Sequence, residues 1–242
     1  MITTVFFDLY NTLVRFDPPP EYLQQEACRN LGIDIEVELV RQGYILADRL
    51  MAEQNAIVPI NMLSREDRRD FFGKYERIIL RASGIEVTVP EALDIFRVVQ
   101  RLSKGLAIFP DTFPCLRELQ HQGISVGLIT NMDETIRGRG DVDSLCKDLG
   151  IRQFFDVIVT STSAGVAKPD PVIFQMGIDA VGARASESVH VGDQLLSDVQ
   201  GAEGAGMIPV LLDRQNSYAG LVHCHRIVSL EQLVKLIATI EI

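Results

Sequence analysis

Five short β-branched and aromatic runs, separated by helix-like stretches, constrain this fold more than any other feature. They are Ile2 to Phe7, Ser125 to Thr130, Val157 to Thr160, Val189 to Val191 and Ile208 to Leu212. Runs this short, apolar on both faces, read as strands buried on both sides rather than as helices. Between them lie Thr112 to His121, Val142 to Leu149, Pro171 to Val181 and Asp198 to Ala205, all helix-like. Strand and helix in alternation call for a parallel sheet with helices packed on its faces, an α/β fold. A sixth strand near Arg226 to Val228 and a closing helix from Leu230 to Thr239 complete the pattern.

The first run stands apart from the others. Residues 17–105 carry helical periodicity and no convincing strand. Asp17-Pro18-Pro19-Pro20 makes a stiff entry to this segment, and Gly105 to Asp111, with Pro110, makes the exit. The domain reading is therefore an α/β core of residues 1–16 and 106–242, interrupted by a helical insertion of residues 17–105.

Composition excludes several function classes. The chain has 242 residues, 47% hydrophobic and 23% charged, enough to bury a sizeable core. Its net charge of −10 opposes binding to nucleic acid or an anionic membrane through the overall field. A small-molecule substrate remains the fitting partner. With no tryptophan, a Trp stacking platform is out. Cys28, Cys115, Cys146 and Cys224 are scattered and form no CxxC pair, so zinc or thioredoxin spacing is absent and reduced thiols in a cytoplasm are expected. The N-terminal apolar stretch stops at Asp8 without a basic region before it. The apolar run Met207 to Leu212 falls far below the ~20 residues of a membrane span.

In open parallel sheets, ligands bind beyond the carboxyl ends of the strands. Here those ends carry Asp8-Leu9-Tyr10-Asn11-Thr12, Thr130-Asn131 and Gly192-Asp193, with Asp198 following and Lys168-Pro169-Asp170-Pro171 in an intervening loop. A carboxylate, a hydroxyl, an ammonium and two more carboxylates thus converge on one face. Singly, Asp8 reads as a turn or capping residue and Lys168 as a solvated loop charge. Their ordered coincidence selects a site. Asn11 tolerates a left-handed backbone and needs no chemical role.

These segments resemble the four motifs of the haloacid dehalogenase superfamily, in the branch with a helical cap inserted after the first motif. The matching residues are Val5-Phe6-Phe7-Asp8-Leu9-Tyr10-Asn11-Thr12-Leu13, Leu128-Ile129-Thr130-Asn131, Lys168-Pro169-Asp170-Pro171 with Phe174, and His190-Val191-Gly192-Asp193 through Ser197-Asp198. The resemblance implies a Rossmann-like core and an Asp8 nucleophile that forms an aspartyl-enzyme intermediate. Thr130, Asn131 and Lys168 would hold the substrate, and Lys168 would neutralise developing anionic charge. Mg2+ would bind at Asp8, the Tyr10 carbonyl and Asp193, with Asp198 as ligand or support. The cap would close over the cleft and choose the substrate.

Tyr10 departs from the pattern. The family's phosphatases usually carry a second Asp there as general acid and base. A tyrosine with a reference pKa of about 10 can donate a proton at neutral pH but is a poor base. The expected function is a Mg2+-dependent phosphatase of a small phosphorylated metabolite, its substrate a phosphate ester or anhydride. The alternatives are a 2-haloacid dehalogenase-like hydrolase, since such enzymes often place a tyrosine there and work without metal, or a catalytically impaired binding protein. Phosphonate cleavage would need a cap lysine, for which Lys74 and Lys104 are candidates. Arg15, Arg41 and Arg49 read as solvated charges before they read as anion ligands. His223-Cys224-His225, with side chains on alternating faces of a strand, cannot all meet one ion.

Overall fold

A computed structural model describes residues 1–102, 105–131, 141–220 and 223–240. In chain order, β1 (Thr4–Phe7) and β2 (Val14–Asp17) come first. Four helices follow: α1 (Pro20–Asn30), α2 (Val37–Ile57), α3 (Arg65–Ala82) and α4 (Val89–Arg101). The remainder is β3 (Gly105–Ile108), α5 (Thr112–His121), β4 (Ser125–Thr130), α6 (Val142–Asp148), β5 (Val157–Thr160), α7 (Ser161–Ala164), α8 (Pro171–Val181), β6 (Ser188–Gly192), α9 (Gly201–Gly204), β7 (Ile208–Leu212), β8 (His225–Ile227) and α10 (Leu233–Ile237).

Met1–Arg15 and Ile108–Ile242 form one compact unit, and Phe16–Ala107 the other. The first unit holds a six-stranded sheet in the order β5-β4-β1-β6-β7-β8, and the five pairings in it are parallel. All four residues of β1 are buried, as a central strand covered on both faces requires. Phe6, Ile129, Val159, Ile173, Phe174 and Ile178 pack together as a core between the sheet and α8. Fully burying one such side chain stabilises by about 1.5–3 kcal/mol. Helix α8 starts where Asp170 accepts from the Val172 amide, with Pro171 in its first turn, and stops at Gly182 in the left-handed region.

The second unit is helical. Its core gathers Cys28, Val40, Ala47, Phe71, Tyr75, Ile79, Leu80 and Ile95. Ser64 caps α3, and Thr88 with Glu91 forms a capping box on α4. Gly43 lets α2 and α3 approach closely, since a Cβ there would lie 2.7 Å from the Ile79 carbonyl oxygen.

Two features differ from the sequence reading. Val14–Asp17 and Gly105–Ile108 pair as a two-stranded sheet at the chain's passages between the units. Helix Asp198 to Ala205 is instead a π-helical segment, Leu195–Gln200, leading into α9. Such π turns recur at functional sites.

Candidate active site

The site is built at the switch in strand order. β1 pairs with β4 on one side and β6 on the other, with Phe7 abreast of both Leu128 and Val191. Chain leaving β1 goes to β4 and β5 on one flank and later to β6, β7 and β8 on the other, so the carboxyl ends of β1, β4 and β6 border one crevice. Asp8 follows β1 directly, its amide donating to Val191 O at 2.9 Å. Thr130 ends β4 and is buried. Asp193 follows β6, half-buried. Tyr10 is half-buried two residues beyond Asp8 and bridges to Val14.

Lys168 is held at both ends. Its backbone is gripped by Asn131, whose Oδ1 accepts from the Lys168 amide at 2.7 Å and whose Nδ2 donates to the Lys168 carbonyl at 2.9 Å. Its ammonium donates to Asp8 Oδ1 at 2.7 Å and Asp198 Oδ1 at 2.6 Å. The sequence reading expects Asn131 to bind substrate. Its side-chain amide uses both polar ends on the lysine's backbone, aiming Lys168 into the site.

Asp198 is anchored by three donors. Lys168 Nζ and His190 Nε2, the latter at 2.9 Å, share Oδ1, and the Gln194 amide donates to Oδ2 at 3.0 Å. The π-helical winding carries Asp198 back under Gly192, where any Cβ would overlap its carboxyl. His190 is buried and its ring meets Phe174 edge-on at 4.9 Å. Burial lowers its pKa, so the imidazole is neutral and Nε2 carries the proton donated to Asp198. Its Nδ1 is a buried atom with no hydrogen-bond partner. Sequence reasoning assigned His190 no part. The available signal was a polar residue inside an otherwise apolar strand, two positions from Gly192 and therefore on the same face.

The charges do not balance. Burial works against the Lys168 ammonium, but Asp198 and Asp8 hold it charged. Burial alone would raise Asp198; Lys168 and His190 hold its carboxyl well below the usual range. Asp8 is pushed up to about 6, chiefly by burial and further by Asp198, with Lys168 opposing. Two carboxylates share one ammonium, which leaves a negative charge uncompensated in a buried place.

That excess suits a cation. Among the described residues, no group of three or more His, Cys, Asp or Glu side chains is arranged to hold a metal. Mg2+ needs less, since it binds through one or two carboxylates and keeps waters or takes substrate phosphate oxygens. Asp8, Asp193 and the Tyr10 carbonyl offer hard oxygens of that kind. Asp198, already accepting three hydrogen bonds, is placed to support Lys168.

Other candidates lie elsewhere in their roles. Arg41 pairs with Glu21 at 3.1 Å and with Glu38, and Arg49 pairs with Glu53 at 3.1 Å. Lys74 is exposed on α3, and Lys104 lies outside the described residues. His223 Nε2 lies 3.8 Å from Glu203. Among the described residues no helix is long and apolar enough to cross a membrane.

Known proteins resemble this chain over most of its length. Residues 2–206 match the haloacid dehalogenase-like hydrolase family. The chain is 30% identical over 225 residues to ribulose-1,5-bisphosphate 5-phosphatase of Halopiger xanaduensis, covering 88% of this chain and 85% of the relative. It is 29% identical over 225 residues to glyceraldehyde 3-phosphate phosphatase of Methanopyrus kandleri, with the same coverages of 88% and 85%. The fold is shared with the HAD-hydrolase YfnB of Bacillus subtilis, solved bound to magnesium, at a TM-score of 0.66 and 18% identity, covering 98% of this chain and 99% of that one. The match across residues 2–206, a span that includes Asp8, Thr130, Lys168 and Asp193, places the chain in the haloacid dehalogenase-like hydrolases.

Proposed function

We propose that the protein is a Mg2+-dependent phosphatase of a small phosphorylated metabolite, working through an aspartyl-phosphate on Asp8. The observation that carries this reading is the Lys168 ammonium between Asp8 and Asp198. It supplies the positive charge that an incoming phosphoryl group and a carboxylate nucleophile both require. The names of the Halopiger and Methanopyrus relatives point the same way.

With its pKa near 6, Asp8 is mostly ionised at neutral pH. Its carboxylate attacks phosphorus, the P–O bond to the leaving group breaks, and the leaving oxygen departs with the bonding pair. Thr130 and Lys168 hold the phosphoryl oxygens, and Asp198 and Asn131 keep Lys168 in place. Water then attacks the phosphorus, freeing Asp8 and inorganic phosphate. Mg2+, bound by Asp8, Asp193 and the Tyr10 carbonyl, would supply charge neutralisation at the phosphoryl group. Tyr10 can donate a proton to the leaving oxygen but activates water poorly.

The test is phosphate release from aryl and small sugar phosphates, with Asp8→Asn as control. Release that is lost in Asp8→Asn, with an acid-stable phosphoprotein trapped on the wild type, supports the reading. Tyr10 favours a second reading, a dehalogenase. Halide release from 2-haloacids that persists in excess EDTA, without phosphate release, would select it. Absence of both activities would leave a binding protein on this fold.

A further inference from the structure

The turn that follows the nucleophile is clamped from outside the four motifs. Asn11 has a φ of 60°, and the turn closes with Leu13 and Val14 amides donating to Leu9 O at 2.9 and 3.0 Å. The carbonyls of Asn11 and Thr12 are taken by one side chain, Arg214, from the loop after β7. Its Nε donates to Asn11 O at 3.3 Å and its Nη2 to Thr12 O at 2.8 Å. The other edge of the guanidinium meets Asp111 in a two-pronged pair, at 2.8 Å from Nη1 and 3.0 Å from Nη2. Its Cζ lies over the Phe109 ring, 3.8 Å from the ring centroid. Asp111 is fixed in turn by Ser229 Oγ at 3.0 Å and the Leu230 amide at 2.9 Å. Arg214 is largely buried, its side chain 18% exposed.

We infer that Arg214 is a positioning residue, whose guanidinium, set by Asp111 and Phe109, fixes the turn that presents Tyr10 beside Asp8. The inference rests on the reading of Asp8 and Tyr10 as reacting groups. The geometry demands an arginine: a planar fork serves two carbonyls and a carboxylate at once, whereas an ammonium is a point donor on a flexible stem. The consequence is kinetic. A turn released at Asn11 and Thr12 lets Tyr10 wander relative to the leaving oxygen, and a misplacement of about 1 Å costs on the order of 10²-fold in rate. Substrate binding through Thr130 and Lys168, which Arg214 does not touch, should persist.

The experiment compares wild type, Arg214→Lys, Arg214→Met, Tyr10→Phe and the double variant Arg214→Lys with Tyr10→Phe. Phosphate release from glycerol 2-phosphate, whose alkyl leaving oxygen needs a proton, gives kcat and KM, thermal melting gives Tm, and amide exchange is followed at Leu13 and Val14. Expected for Arg214→Lys are faster exchange at those two amides, kcat reduced by about 10–100-fold, and KM within about threefold of wild type. In the Tyr10→Phe background the kcat loss should shrink, because the residue being positioned is already disabled. Should Arg214→Met fail to fold, Arg214→Lys alone carries the comparison. A lowered Tm with kcat unchanged below it, or losses that multiply fully in the double variant, would overturn the inference and leave Arg214 a structural tie. Should the wild type release no phosphate at all, the phosphatase reading falls separately. The clamp is then judged by exchange alone, faster exchange sustaining it and unchanged exchange overturning it.

Discussion

Lys168 Nζ lies 2.7 Å from Asp8 Oδ1, although the two residues are 160 positions apart in the chain. The contact joins the end of the first strand to a loop two-thirds of the way along the sequence. With Asp198 on its other side at 2.6 Å, Lys168 is the shared counter-ion of two buried carboxylates. Removing it leaves both facing each other without compensation.

Lys168→Met should therefore cost both stability and turnover. Breaking a buried pair by deleting one partner costs about 3–5 kcal/mol. Urea unfolding at pH 7 should show a midpoint lowered accordingly, and phosphate release should fall to background. A midpoint within error of wild type would mean that Asp8 simply takes up a proton when the lysine is lost.

Gly192→Ala tests the approach of the π-helical segment to β6. The added Cβ would overlap the Asp198 carboxyl, so Asp198 must move and Lys168 loses its second partner. Overpacking of this kind costs about 1–3 kcal/mol, and turnover should drop on the order of 10²-fold through misplacement. Far-ultraviolet circular dichroism should stay native. Full activity in the alanine variant would show that Asp198 is not held where this geometry puts it.

Metal removal and Tyr10 should separate the two hydrolytic readings. Phosphate release should stop in excess EDTA and return with added Mg2+. Aryl phosphates, whose leaving groups need little protonation, should be favoured over alkyl phosphates. Tyr10→Asp should narrow that gap by raising alkyl phosphate turnover, since positioned acid–base catalysis contributes roughly 10²–10⁴-fold. Equal wild-type rates on both classes, unchanged by the substitution, would assign the acid to another group.

Stability of the helical unit should fall as pH rises through neutrality. Glu76 is 1% exposed, and burial raises its pKa to about 7 from a model-peptide value of 4.5, with the Gln24 hydrogen bond opposing. Asp48 is pushed up to about 6 by burial, against its bond from Tyr75. Well below pH 3.8 both folded and unfolded chains hold these protons. Between about 4.5 and 7 the unfolded chain binds fewer protons than the folded one, so unfolding free energy declines with pH across that window. For Glu76 the total is on the order of 3 kcal/mol. Glu76→Gln should flatten the slope in urea titrations at pH 5 and 8 and raise stability at pH 8. A slope identical to wild type would show that Glu76 titrates normally.

Local sequence set the layered architecture and the polar positions at the carboxyl edge of its sheet. Strand runs such as Val157–Thr160 and helices such as Pro171–Val181 are signalled by residues within each segment: apolar pattern, an Asp170 cap, a closing Gly182. Asp8, Thr130 and Asp193 were legible because they lie at or just past strand ends, and a parallel sheet brings all its carboxyl ends to one edge. Tertiary structure decided the rest. Val14–Asp17 carries Arg15 and Asp17 among apolar residues, and becomes a strand only by pairing with Gly105–Ile108, far along the chain. His190 looks like an oddity in an apolar strand, and nothing local ties Asn131 to Lys168, until Asp198 and the Lys168 backbone are in place. Arg214 shows no local pattern at all. Its function lies in four acceptors, the carbonyls of neighbouring Asn11 and Thr12 and both carboxylate oxygens of distant Asp111. A planar fork of donors takes its meaning from where the fold delivers those oxygens, and that geometry is set by packing between distant segments.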